Sequence, residues 1–492
     1  TLEKEERRLA KEIDPVVEEL NFKIRQQLLN APFLSQLQAK HGKLYFDFLK
    51  IQQDAFEESN IPLETQLSEV LSDYTKLNGQ ASLEVEGKTY PISHYKKFSV
   101  SPDSKLRKAS FLSYSSWYLR HRKDLETLFD RAYQIRQKMG QNLGYDHFIP
   151  LAYQNLHRLD YGPEEVQSLR EQILEVVVPL ASKLHQEQAQ ALGSSKLKVW
   201  DLDFHPHYQS GGLKVSIQEQ SQAALKIFEK LSTQLAEYFR RMLQHSLIDV
   251  PAREGKAPGA FCTDFSDYRV PFVFLNSVGE WEDLSTFLHE CGHSFQAWAS
   301  ADIDLLELRW PGLEACEVHS MGMELLAYPY LGEFLKEEDI RPYQKKHLSE
   351  TITILPYLAM VDDFQHQVYS QKLDSSVSRA QVWKTLEEKY LPSLDFSDQP
   401  DWQESRWIRQ MHIFQAPFYY IDYAIAQIGA WQLWLKSLKN HEEAMTSYLK
   451  LCSLGGALPL KEFFASGGLS LPFESGMLKK LMEEVWQAWK AL

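Results

Sequence analysis

His289-Glu290-Cys291-Gly292-His293 carries the residue types for metal-assisted hydrolysis, at a spacing that suits it. On a helix, residues four apart sit one turn apart on the same face. Both imidazoles then aim at one point, as the first two ligands of a tetrahedral zinc ion do. Glu290 leans to the side where a metal's water would lie, the place of a general base. The motif fixes only three of its five positions, so its neighbours must supply the helix and the remaining ligand.

The helix follows from the flanking residues. Leu284, Phe287, Leu288, Cys291, Phe295 and Trp298 keep the i, i+3, i+4, i+7 spacing of one buried stripe. Glu280, Glu282 and Asp283 crowd the first turn, where they complement the positive end of the helix dipole. Gly292 costs about 1 kcal/mol of helix propensity relative to alanine. Its place between the histidines implies close approach of another backbone or of a substrate. Cys291 lies on the apolar stripe and should face away from a metal.

A catalytic zinc takes three protein ligands and keeps one position open. After the break at Pro311-Gly312, residues 313–326 read as a second helix on which Glu314, Glu317 and Glu324 can share one face. Two antiparallel helices joined by the short link 300–312 would set Glu317 opposite the histidine pair.

Taken with Glu317-Val318-His319-Ser320-Met321, the motif resembles the thimet oligopeptidase / oligoendopeptidase F family of zinc metallopeptidases, closest to its Pz-peptidase-like bacterial branch. Two further segments carry the likeness. Pro258-Gly259-Ala260-Phe261-Cys262-Thr263, with Val270-Pro271-Phe272-Val273-Phe274-Leu275-Asn276, resembles the short strands that precede the motif helix. His412-Ile413-Phe414-Gln415-Ala416-Pro417-Phe418-Tyr419-Tyr420-Ile421-Asp422-Tyr423-Ala424 resembles the C-terminal His/Tyr segment.

The resemblance implies one zinc per chain on His289, His293 and Glu317, with Glu290 activating the zinc-bound water. It implies that His412, Tyr423, Tyr420 and Tyr419 donate hydrogen bonds to the substrate carbonyl. An edge strand at Gly259, Ala260 and Phe261 could pair with an extended peptide. His319, Glu324 and Asp362 are candidates for orienting the ligands. The fold implied is mainly α: an elongated multi-helix body divided by a deep substrate channel, with a small β-sheet beside the motif helix. The activity implied is a zinc metalloendopeptidase acting on internal bonds of short unfolded oligopeptides. The alternatives are a zinc carboxypeptidase on a similar helical fold and a non-catalytic peptide-binding protein, the latter expected to have lost the base or a ligand.

The rest of the chain bounds these readings. It has 492 residues, 44% of them hydrophobic and 24% charged, which places it among ordinary globular proteins. A formal charge of −14 argues against nucleic acid as a partner. No apolar run is long enough for a membrane span, and the charged opening Thr1-Leu2-Glu3-Lys4-Glu5-Glu6-Arg7-Arg8 is no signal peptide. Four cysteines in so long a chain are not a disulfide framework, and the expected setting is the reducing cytoplasm. Division at 103/104 is expected, into an N-terminal helical region with a small hairpin (1–103) and a helical catalytic region (104–492). The hairpin is read from the alternation of Leu83–Ile92 about Glu86-Gly87-Lys88. Helices are expected over 104–144, 163–193, 216–247, 338–372 and 379–390, and one is expected to begin near Pro417.

Overall fold

The computed structural model describes residue 5, residues 8–257 and residues 259–492. Most of the charged opening and Pro258 lie outside the described residues. The chain is mainly helical with small sheets, and it divides into two compact units. One comprises residues 1–162, 198–203 and 360–420, the other residues 163–197, 204–359 and 421–492. The expected boundary at 103/104 falls inside the first unit.

In the first unit the hairpin forms where the alternation places it, as β1 (Ser82–Val85) and β2 (Lys88–Pro91). Glu86 and Gly87 turn the chain with φ of 51° and 74°, the two positive values that a tight two-residue hairpin loop requires. Leu83 and Val85 bury one face of β1 against α1 (Ser104–Arg120), so the hairpin is tied to residues on the far side of 103/104. His121 ends α1 and α2 (Arg122–Asn142) follows, so the helix expected over 104–144 is two. Leu125, Phe129 and Ala132 of α2 join Phe364, Trp383, Trp407 and Phe414 in a core where Phe129 meets Trp407 at 5.0 Å between ring centroids.

The second unit contains a three-stranded sheet. Its strands are β3 (Ile248–Pro251), β4 (Phe261–Phe265) and β5 (Val270–Ser277). β5 is central, parallel to β3 and antiparallel to β4, which leaves β4 at an edge. Val273 N–H donates to Leu247 O at 2.9 Å. Pro271, of the same parity, lies before the start of β3, where its missing N–H breaks no ladder bond. β3 escapes sequence reading because it is short and pairs in parallel with a strand distant in sequence, with no turn signal to join them. The helix expected over 216–247 is split at Ser232, whose extended backbone (φ −164°) and hydroxyl cap the second piece by accepting from Gln234 N–H.

Two helices follow the sheet, α3 (Trp281–Ala299) and α4 (Leu313–Leu326). A capping box opens α3: the Asp283 carboxylate accepts from Val278, Gly279 and Glu280 N–H at 2.8, 2.6 and 2.8 Å. Leu284, Phe287, Leu288, Cys291 and Phe295 are wholly buried, as the stripe predicts. Burying one such side chain contributes about 1.5–3 kcal/mol. α3 packs on β4, β5 and α4, so a small sheet does lie beside the motif helix. The long helix α5 (Glu337–Ser370) and then α6 (Asp422–Lys439) and α7 (His441–Leu454) complete the elements that bear on the site.

Candidate metal centre

Gly292 explains how α3 and α4 come together. A Cβ on it would lie 2.6 Å from both His319 O and Ser320 Cα, so only hydrogen fits between the two backbones. Of the two reasons considered for this glycine, backbone approach is the one found. The contact sets α4 across the motif with Glu317 level with both histidines. Val318 and Tyr448 back the same crossing: Val318 is wholly buried, and the Tyr448 hydroxyl donates to His319 O at 3.0 Å.

Glu317 Oε2 lies 3.2 Å from His289 Nε2 and 3.6 Å from His293 Nε2, with the two rings 4.9 Å apart. One donor atom from each of the three residues falls within 4.8 Å of the others, and among the described residues this is the group of His, Cys, Asp and Glu that could hold a metal ion. The donor set suits the ion that the motif suggests, two imidazole nitrogens and one carboxylate oxygen. Ser320 Oγ donates to Glu317 Oε2 at 2.9 Å and fixes that carboxylate from behind. His289 Nδ1 meets Glu324 Oε1 at 2.7 Å, which directs its Nε2 to the cluster. Glu324, one of three candidate orienting residues, is thus in hydrogen-bond contact with a residue of the donor group.

Charge and burial divide the labour further. Burial would lower the pKa of His289, but Glu317 and Glu324 outweigh it and hold the value well above the ordinary one. Burial pushes His293 down to about 4. For Glu317, burial works upward and is overcome by the His289 hydrogen bond and the charges of both histidines, giving about 2. Glu290 behaves in the opposite way. Burial raises it to about 7, helped by the Glu317 and Glu324 charges and opposed by His289 and by a hydrogen bond from Cys262 N–H. That N–H belongs to the edge strand β4, a partner that no side-chain motif discloses.

The other expected residues fall as follows. Gly259 is exposed, with φ of 96°, Ala260 is half-buried, and Phe261 is exposed at the start of β4. Cys291 and Cys316 are buried and Cys262 is half-buried; all are free thiols and none joins the donor group. His319 does not orient a ligand: its ring packs 5.5 Å from Phe463 and 6.3 Å from Tyr448, and burial lowers its pKa to about 3. Asp362 belongs to the first unit, where its carboxylate stands 3.2 Å from His366 Nδ1.

His412, Tyr419 and Tyr420 are brought together in the first unit, with His412 4.5 Å from Tyr420 and 5.9 Å from Tyr419 between ring centroids. Tyr423 stands in the first turn of α6, in the second unit. The helix expected from Pro417 begins only at Asp422, so Tyr419 and Tyr423 are not one helical turn apart. The cause is Phe418, which takes φ of 68° in a turn closed by Tyr419 N–H to Ala416 O at 3.2 Å. Proline at the second position and positive φ at the third make it a type II turn, which a helix cannot contain. Gln365 Oε1 accepts from Phe418 N–H at 3.0 Å, and Arg158 Nη2 donates to Phe418 O at 2.7 Å, holding the turn.

The family comparisons concern both the whole chain and this site. A model of Peptidase family M3 matches residues 98–483, and one of the Peptidase M3 N-terminal domain matches residues 2–56. The chain is 23% identical over 300 residues to Oligopeptidase PepF of Bacillus subtilis, covering 60% of this chain and 44% of that protein. To the Oligoendopeptidase F homolog of Lactococcus lactis it is 22% identical over 394 residues, covering 77% and 62%. It thus spans less than two thirds of these two relatives. Among solved structures, PZ peptidase A with an inhibitor superposes with a TM-score of 0.94 at 34% identity, covering 99% of this chain and 87% of that one. A Bacillus anthracis protein named as an oligoendopeptidase F gives 0.88 at 31%, covering 99% and 86%. With a family model over most of its length and that superposition, the chain belongs to peptidase family M3.

Proposed function

We propose that the chain is a zinc-dependent endopeptidase that hydrolyses internal bonds of short unfolded oligopeptides. The observation that carries the reading is the convergence of His289, His293 and Glu317 on one point, with the Glu290 carboxylate on the same helix. Family membership and the names of the relatives support the substrate class.

His289 Nε2, His293 Nε2 and Glu317 would hold the ion, which supplies Lewis acidity and a water acidified towards about pH 7. Glu290 takes the proton of the attacking water and delivers it to the departing amine nitrogen. Its carboxyl stands on the same helix as both histidines, placed to do both. The outer edge of β4 offers backbone groups on which an extended substrate can add as a strand, entering by Gly259, Ala260 and Phe261. Hydrogen-bond donation to the scissile carbonyl is assigned to His412, Tyr420, Tyr419 and Tyr423 from the family resemblance. Four free cysteines fit work in the reducing cytoplasm. Among the described residues no helix is long and apolar enough to cross a membrane.

Glu290→Gln tests the reading. The variant should retain zinc near one per chain while kcat falls about 10²–10⁴-fold. A wild type without stoichiometric zinc, or a variant with kcat within threefold of it, would sink the mechanism. A peptide blocked at both ends separates endopeptidase from carboxypeptidase, since only the former cleaves it.

A further inference from the structure

Behind His289 the hydrogen bonding continues for two more residues. Glu324 Oε2, the oxygen that His289 does not use, lies 2.8 Å from His347 Nε2, and His347 Nδ1 lies 2.7 Å from the Tyr328 hydroxyl. Glu324 comes from α4, Tyr328 from the 3₁₀ turn that follows it, and His347 from the first half of α5. All belong to the second unit. Tyr328 is 4% exposed, and its ring and that of Tyr343 each lie 5.8 Å from the His347 ring, so the imidazole is held by packing as well.

The proton count runs one way along this row. A carboxylate only accepts, so both Glu324 oxygens require a donor. His289 Nδ1–H supplies one and His347 Nε2–H the other. In the tautomer with its proton on Nε2, His347 presents Nδ1 as an acceptor for the Tyr328 O–H. With an ion held at the donor cluster, His289 would keep its proton on Nδ1 and turn its Nε2 lone pair to that ion. Without His347, Glu324 has one oxygen unsatisfied in a buried place and is free to rotate. The orientation of His289 then rests on a carboxylate that nothing fixes.

We propose that His347, held in one tautomer by Tyr328, is a positioning residue that sets metal affinity through Glu324 and His289. The inference rests on the metal reading above and adds residues that no motif marks. It touches neither substrate nor ion; its effect passes through two other side chains.

Zinc affinity of the resting protein, measured by competition with a chromophoric chelator, tests this independently of peptide cleavage. His347→Leu should weaken zinc binding about 10–100-fold, the usual cost of losing an outer hydrogen-bond partner. Tyr328→Phe keeps the packing and removes only the hydroxyl, so a smaller loss of about three- to tenfold is expected. His347→Gln keeps a donor for Glu324 and an acceptor for Tyr328, and should restore most of the affinity. Thermal unfolding of the metal-free proteins is followed beside it; should His347→Leu fail to fold, Tyr328→Phe and His347→Gln decide. Zinc affinity of folded His347→Leu and Tyr328→Phe within twofold of wild type would overturn the proposal. If the wild type itself binds no zinc, the metal reading falls too, so the two failures are told apart.

Discussion

Each unit of this molecule contains a largely buried row of tyrosine, histidine and carboxylate, and among the described residues one of them leads to a candidate metal site. In the second unit Tyr328, His347 and Glu324 run on to His289, whose far nitrogen faces Glu317 with His293 beside it. In the first unit the Tyr153 hydroxyl meets His366 Nε2 at 3.1 Å, and His366 Nδ1 stands 3.2 Å from Asp362 and 2.9 Å from its backbone carbonyl. The groups are alike in type and spacing. What differs is the end of the row, because the donor group found among the described residues includes His289 and contains neither His366 nor Asp362. A Tyr–His–carboxylate row is therefore no sign of chemistry by itself. It orders side chains, and the chemistry belongs to whatever the last one presents.

The difference breaks down most severely if the helix crossing is disturbed. In Gly292→Ala the new methyl meets the backbone of His319 and Ser320 at 2.6 Å, where no rotamer change can relieve it. α3 and α4 must separate, carrying Glu317 away from both histidines. We expect a loss of about 2 kcal/mol in urea unfolding, net of the better helix propensity of alanine. Zinc affinity should fall with it. A Gly292→Ala protein as stable as wild type and as tight for zinc would mean that the crossing does not assemble the site.

The second-unit row also shows where sequence reading stops. The histidine pair and Glu290 were legible because a helix turns spacing into direction: residues four apart must point together, and a glycine in mid-helix must have a reason. Glu317 was singled out from Glu314 and Glu324 by the family resemblance. His347 carries no such mark, since it lies on another helix and only the packing of α5 brings it to Glu324. The hydrogen bond from Cys262 N–H to Glu290 was invisible because backbone groups have no letter in a sequence. The hairpin at Glu86-Gly87 was legible, being a two-residue rule, whereas β3 is four residues long and pairs across a gap in sequence. At Pro417 the resemblance located the segment but periodicity misjudged its backbone. A phenylalanine in the left-handed region is held there by Gln365 and Arg158, which are distant in sequence.

The two rows can be separated directly by removing the middle histidine of each. His366→Phe in the first unit preserves a ring while leaving the Tyr153 hydroxyl and the Asp362 carboxylate without that partner. A cost of about 0.5–1.5 kcal/mol in folding stability follows from losing the hydrogen bond between Tyr153 and His366. Zinc affinity should be unchanged, in contrast to the loss expected for His347→Leu. A His366→Phe variant that binds zinc tenfold more weakly would show the first-unit row to be coupled to the metal, and the contrast would fail.

The smallest expected effect comes from a histidine outside both rows, and it sets the background for any acid titration of them. His185 is 2% exposed, and burial holds its pKa down to about 4. Its folded value lies below the unfolded value near 6.5, so the unfolded chain binds the extra proton first. Stability from this group is therefore complete above about pH 6.5 and is lost as the pH falls towards 4. Between pH 7 and pH 5 the loss should be on the order of 1–2 kcal/mol. Urea unfolding of the metal-free protein at those two pH values measures it, and His185→Phe should flatten the dependence by that amount. If the variant keeps the wild-type slope, the acid sensitivity belongs to other groups, and His293 and His319, which burial also holds low, become the first to examine.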